Sequence, residues 1–465
     1  MAKKVRKTAK EINREFHLVS VSESLAKGNL ITRLSAVIFG FGNIARGQII
    51  RGLIFLLAEI SFFVFLFQYG IGFLGDLITL GTKEQGEVFN EAKQIYEYTA
   101  GDNSMLCLLY GIITLFIIAA FVLLWRASVK SAYEAQKYTD KGQKAPSFMD
   151  DIRSFFDEKM HKTLLTIPVL CLLLFNIMPL VFMISMAFTN YDRDHQAPGK
   201  LFDWVGLENF KKVLDPSNGL GSTFWHVLGW TIIWAIFATF LNYILGMILA
   251  IVINRKDTKL KGMWRFIFVL SIAVPQFVSL LVMRTLLQPD GAINVLFKEL
   301  GWITESLPFW TDPTWARVMV IVINLWVGIP YTMLSTTGIL QNIPAELYES
   351  AKVDGANAVV TFFKITLPYM IFIMTPSLIS SFVGNINNFN VIYLLTKGAP
   401  ASLDYYKGTA GKTDLLVTWL YKLTVDFKDY NLAAVIGILT FVISATLSLV
   451  VYRRTGAYNN EEAFR

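Results

Sequence analysis

The residues in this chain best suited to chemistry are amides and hydroxyls set at helical spacing inside apolar stretches. Asn324, Gly328, Tyr331 and Ser335 fall at i, i+4, i+7 and i+11, on one helix face, with Val327 in the same stretch and Pro330 loosening the turn. Ser377, Ser381, Asn385 and Asn388 follow a similar helical spacing further on, at i, i+4, i+8 and i+11, with Asn387 and Asn390 close by and Gly384 and Pro376 permitting a bend. Ser271, Pro275 and Ser279, with Gln276 adjacent, make a third stripe. An amide donates and accepts without carrying charge, which matches a sugar hydroxyl, and Trp326, Tyr331, Phe389 and Tyr393 offer flat apolar faces to sugar rings. Helix packing through small and amide residues explains a single stripe, but four asparagines within six residues exceed that need. No basic stripe accompanies them, which argues against phosphate esters or carboxylates as the ligand.

Other chemistry is missing. Gly408-Thr-Ala-Gly411-Lys412-Thr413 imitates a phosphate-binding loop, but position 406 is Tyr, the glycines are too close, and no apolar strand precedes it. The four histidines, His17, His161, His195 and His226, show no metal-ligand spacing. Cys107 and Cys171 lie in apolar runs and read as small buried hydrophobes. Glu59 is the one acid well inside an apolar stretch; without a second buried acid or His to form a relay, a structural role is expected for it.

The elements that must position the stripes are membrane spans. Of 465 residues 54% are hydrophobic and only 17% charged, against about 25% in an average soluble chain. Mean hydropathy is +0.48. The apolar residues gather in runs long enough to cross about 30 Å of hydrocarbon as helix. Eight spans are expected: Leu53 to Leu74, Met105 to Trp125, Thr163 to Ala187, Phe224 to Ile253, Phe266 to Leu287, Val318 to Leu340, Tyr369 to about Leu394, and Leu432 to Tyr452. Residues 34–52 are interrupted by glycines, Asn43, Arg46 and Arg51, and fit an interfacial helix or turn better.

Charge sets the orientation. Residues 1–33 carry eight Lys or Arg against three Glu, and no cleavable signal is visible, so the N-terminus is expected in the cytoplasm. The loop after the first span is acidic, residues 254–265 hold five bases and one acid, residues 288–315 are acidic again, and Arg453 and Arg454 follow the last span. An even number of spans with both termini inside fits these; loops 341–368 and 391–431 are nearly balanced. The net charge of +7 therefore reports membrane orientation, not nucleic-acid binding.

Between the sixth and seventh spans, residues 342–368 read as helix, turn, helix. Pro344 suits a first turn, Gly355 a left-handed stop, Asn357 a cap and Pro368 the exit, with Leu347, Ala351, Val359 and Phe362 or Phe363 as an apolar face. Glu349-Ser350-Ala351, Asp354-Gly355-Ala356 and then Ile365, Leu367 and Pro368 resemble the EAA loop of membrane subunits in binding-protein-dependent ABC importers. The resemblance implies that Glu349, Ser350, Ala351, Asp354 and Gly355 couple the spans to a cytoplasmic ATPase dimer; Ser350 stands where Ala is commoner.

Asn324 to Tyr331, Asn385 to Thr396 and Thr409 to Leu416 are similar to the larger membrane subunit of maltose/maltodextrin importers, the MalF type, over roughly residues 164–454. The likeness implies an all-α integral membrane protein of the type I, MetI-like permease fold. It implies sugar contacts at Asn385, Asn388, Gly328 and Tyr331, with Asn324 and Val327 lining the same stretch. Gly384 departs from the family, which has an aromatic there, and residues 188–223 form an ordinary loop where the enterobacterial subunit carries a folded insertion.

The expected organisation is 1–52 as basic cytoplasmic N-terminus and interfacial segment, 53–162 as two N-terminal spans, 163–454 as a six-helix permease core, and 455–465 as a cytoplasmic tail. Partners implied are a second permease subunit of the MalG type, the ATPase dimer, an extracytoplasmic sugar-binding protein, the bilayer and an oligosaccharide, with no cofactor, metal or catalysis of its own. The rivals are an importer of galacto-oligosaccharides or another neutral glycan, a proton-coupled secondary transporter using Glu59, and a membrane enzyme acting on lipid-linked sugar.

Overall fold

The computed structural model describes residues 20–255 and 257–453. The basic stretch 1–19, Lys256, Arg454 and the expected tail 455–465 lie outside the described residues. Among the described residues seven helices are long and apolar enough to cross a bilayer, and a bent pair makes an eighth candidate. The first to fourth spans run Ile49–Thr79, Ser104–Asp140, Met160–Met186 and Gly219–Asn254; the sixth to eighth run Pro313–Gln341, Ala358–Ile386 and Tyr430–Arg453.

Three expected spans differ from what is observed, the second by running on to Asp140, well past the expected Trp125. The fifth, read as one helix from Phe266 to Leu287, is Lys261–Ala273 followed by Gln276–Leu286 at 87°. Pro275 causes the break: its ring disfavours helical backbone at Val274, which is extended at φ −79° and ψ 124°, and it supplies no N–H. The seventh stops at Ile386, eight residues short of expectation, and a separate helix Phe389–Leu395 follows. The all-helical reading otherwise holds, save for a hairpin between the first two spans, β1 (Gly86–Asn90) paired antiparallel with β2 (Ile95–Thr99).

The described residues divide into two compact units, 20–185 with 194–204, and 186–193 with 205–255 and 257–453. In the first unit the interrupted segment is an elbow. Short helices Leu30–Leu34 and Phe41–Ile44 are joined through left-handed Gly40 (φ 74°), and left-handed Gly47 (φ 84°) leads into the first span. Glu59 is only 7% exposed, and its Oε2 accepts the Phe39 backbone N–H at 2.8 Å, so the acid inside the first span ties down the elbow. Residues 160–185 of the third span fall in this unit. None of its apolar window is buried, so hydrocarbon or another helix must surround it.

The second unit is built around Trp234 and Trp419, both fully buried. Each buried indole finds an acceptor: Trp230 Nε1 donates to the Thr413 carbonyl at 3.1 Å, Trp234 to that of Asn385 at 3.1 Å, and Trp419 to Thr409 Oγ1 at 3.0 Å. The bonds to Thr413 and Thr409 hold residues 396–415 as a packed cap. Within it Asp414, fully buried, accepts from Gly411 N at 2.7 Å, Thr418 Oγ1 at 2.8 Å and Lys422 Nζ at 2.6 Å. Burial pushes the Asp414 carboxyl above its ordinary range, against the pull of Lys422. The stretch that imitates a phosphate loop belongs to this cap, and the Gly398 carbonyl occupies the space a side chain at Gly411 would need. Lys412 lies over the Tyr405 ring, 4.1 Å from its centroid.

Candidate functional site

The three polar stripes meet. Asn324, Val327, Gly328, Tyr331 and Ser335 of the sixth span, Ser377, Ser381 and Asn385 of the seventh, and Ser271, Pro275, Gln276 and Ser279 at the fifth-span break line one cavity of about 410 Å³. No acidic or basic side chain lines it. The helix break places the Val274–Pro275 backbone on the wall, and Pro330 removes the helical hydrogen bond that would close on the Trp326 carbonyl, also on the wall. Trp326 and Tyr331, 60% and 66% exposed within this chain, bring aromatic faces to it.

The fourth span supplies a wall that sequence reasoning missed: Ala238, Thr239, Asn242 and Tyr243. A π turn at Phe237–Leu241 shifts the helix phase just before Asn242. Thr239, Asn242, Tyr243 and Gly246 at i, i+3, i+4 and i+7 were the available signal. Two glycines let the fourth and sixth spans close up. A Cβ at Gly246 would stand 2.6 Å from Thr332, and one at Gly328 would stand 2.5 Å from the Asn242 amide.

Asn385 is held by the fourth span on both sides of its Cα. Its Nδ2 donates to Thr239 Oγ1 at 2.9 Å, and its carbonyl accepts from Trp234. The other asparagines of the cluster serve the chain break. Asn387 donates to the Val383 carbonyl at 3.1 Å. Asn388 caps Phe389–Leu395 by accepting from Val391 N at 3.2 Å and donates to Asn385 Oδ1 at 3.3 Å, one step behind the cavity wall. Phe389 and Tyr393 stack on each other at 4.7 Å and meet Tyr421 edge-on, away from the lining.

A helix, a turn and a second helix are present over residues 345–366, and the second helix continues through Pro368 into the seventh span. Helix Ala345–Val353 ends at Gly355 with φ 76°, and Asn357 Oδ1 caps the next helix by accepting from Val360 N at 2.9 Å. Ala351 is buried, whereas Glu349, Ser350, Asp354 and Gly355 are exposed. Leu347, Val353, Val359 and Phe363 add exposed apolar surface, from 40% at Leu347 to 88% at Val353. Ser350, Ala351, Asp354 and Gly355 rim a concavity shared with Asn357, Thr361 and Lys364.

Residues 242–456 match the binding-protein-dependent transport system inner membrane component family. The galactooligosaccharides transport system permease protein GanP of Bacillus subtilis is 36% identical over 93% of this chain and 99% of its own length. The chain belongs to the permease subunits of binding-protein-dependent ABC importers. The maltodextrin transport system permease protein MalC of Streptococcus pneumoniae is 35% identical over 92% of this permease and 96% of its own length. In fold the permease is similar to a chain in the crystal structure of a bacterial ABC transporter involved in the import of the acidic polysaccharide alginate, with TM-score 0.52 and 21% identity over 65% of this chain and 96% of that one. Family and spans together make the permease a multi-pass protein of the plasma membrane. Among the described residues no group of His, Cys, Asp or Glu could hold a metal ion.

Proposed function

We propose that this permease forms part of the pathway through which a neutral oligosaccharide of the maltodextrin class enters the cell. The observation that carries the reading is the convergence of three amide and hydroxyl stripes, with two aromatic faces, on one uncharged cavity. Asn324, Val327, Gly328, Tyr331 and Asn385 contact the sugar, and Asn388 supports Asn385 from behind. Amide oxygens and nitrogens exchange hydrogen bonds with hydroxyls at little electrostatic cost, so a neutral polyol can both enter and leave.

The chain pairs with a second permease subunit, and a cytoplasmic ATPase dimer grips Glu349, Ser350, Ala351, Asp354 and Gly355. Closure of the ATPases moves this helix pair and the attached seventh span, turning the cavity outward to receive sugar from an external binding protein; hydrolysis resets it. The ends of the chain face the cytoplasm, as the coupling loop does. The similarity to GanP supports a second substrate, galacto-oligosaccharide, on the same machinery.

The test is ATP turnover by the complex reconstituted with its ATPase, second permease and binding protein, against a panel of maltodextrins, galacto-oligosaccharides and sugar acids. Stimulation by a neutral oligosaccharide is expected. Stimulation by sugar acids alone would overturn the reading.

A further inference from the structure

Three residues that line the cavity each carry a buried polar atom without a hydrogen-bond partner: Asn242 Oδ1, Tyr243 OH and Asn324 Nδ2. All three residues are at most 9% exposed. Leaving such groups unpaired costs on the order of 1–3 kcal/mol each, so a fold that keeps three of them together around one cavity gains by pairing them with a ligand. Asn324 was expected from the sequence, but Asn242 and Tyr243 come from the fourth span and were not. Asn242 is fixed in place, because its Nδ2 donates to the Ala238 carbonyl at 2.7 Å and so leaves Oδ1 as the free acceptor. The π turn at Phe237–Leu241 directly precedes it and sets its direction. Its amide lies against Gly328, where any side chain would collide with it at 2.5–2.6 Å.

We propose that Asn242 is a specificity-determining residue of the sugar site, accepting a hydroxyl proton of the oligosaccharide through Oδ1, and that Gly328 lacks a side chain in order to admit the Asn242 amide. The inference rests on the oligosaccharide reading above and changes the role of Gly328, whose smallness serves the neighbouring span before it serves the sugar. An acceptor at this point favours a ligand with a hydroxyl there and penalises the corresponding deoxy sugar, which would bury the oxygen unpaired.

The experiment measures initial uptake of radiolabelled maltotriose and, separately, a β-1,4-linked galactotriose by the complete complex in vesicles. The variants are Asn242→Ala, Gly328→Ala and the double variant. Asn242→Ala is expected to raise KM about tenfold with kcat changed less than twofold, the split that loss of a ground-state contact produces. Gly328→Ala is expected to raise KM at least as far, since the new methyl displaces the amide. The double variant should match Asn242→Ala alone, because once the amide is gone the methyl has nothing to strike.

If Asn242→Ala does not assemble, Asn242→Ser takes its place in the same cycle, with an expected KM rise of about threefold. Wild-type uptake of either sugar with an unchanged KM in the Asn242 variant would overturn the inference while leaving the oligosaccharide reading intact. Losses that multiply in the double variant would do the same. Uptake of neither sugar by the wild-type complex would overturn both.

Discussion

At the scale of single residues, Asn385 differs from Asn242 and Asn324 in that both ends of its side-chain amide already have partners. Asn385→Leu removes the donor to Thr239 and the acceptor for Asn388 while keeping side-chain bulk. It should lower oligosaccharide uptake at least tenfold, with co-purification of the second permease unchanged. Uptake at the wild-type rate would remove Asn385 from the pathway. A different residue-scale test concerns Asp414, fully buried against Lys422, whose side chain is 17% exposed. Lys422→Met strands the carboxylate, and breaking one side of a buried pair costs about 3 kcal/mol.

The sign with pH follows from the direction of the shift. Burial already raises the Asp414 carboxyl, and loss of the lysine raises it further, so the folded variant holds its proton to higher pH than the unfolded chain does. Its stability is then present in acid and lost as pH rises through the raised value. The gap in thermal midpoint between Lys422→Met and wild type should therefore shrink on going from about pH 8 to about pH 5. A gap that widens in acid would mean that Lys422 does not compensate the carboxylate.

At the scale of elements, the helix pair proposed for coupling shows which local signals survive translation into structure. Gly355 takes φ 76° with nothing within 4 Å of where a Cβ would stand, so its requirement is conformational and not one of space. Gly355→Val should cost about 1–2 kcal/mol in the left-handed turn and loosen the angle between the two helices. Asn tolerates that conformation, so Gly355→Asn should retain coupling. The measurement is sugar taken up per ATP hydrolysed, expected to fall severalfold for valine and to stay near wild type for asparagine. Equal ratios for both would show that the turn conformation does not carry the coupling.

The turn was legible beforehand because Pro344, Gly355 and Asn357 act on their own backbones. The asparagine cluster was harder to read. Asn387 and Asn388 terminate one helix and start the next, so only Asn385 of the four amides reaches the lining, and spacing alone does not distinguish a cap from a wall. The break in the fifth span had its cause in plain view at Pro275, yet the apolar run across it read as one continuous helix.

At the scale of the whole molecule, the proposed function expects the helix pair around Gly355 on the ATPase side, and charge alternation along the sequence expects the acidic loop after the first span on the outer side. In a background lacking Cys107 and Cys171, Tyr98→Cys should react with a membrane-impermeant maleimide on intact cells. Asp354→Cys should react only after permeabilisation. The reverse pattern would invert the transport direction argued above. Both positions are solvent-exposed within the chain, so labelling reports sidedness.

Hydrocarbon demands long apolar runs and satisfied backbones, and local capping chemistry acts within a few residues; the approximate placement of most spans, the turn at Gly355 and the uncharged character of the polar stripes were therefore written in the order of residues. Tertiary structure alone decided how each helix is rotated, that a π turn aims Asn242 at Gly328, that the fifth span folds through 87°, and which amides line the cavity and which close a helix end. A helical repeat specifies which residues share a face, but only the neighbours packed against that face determine where it points.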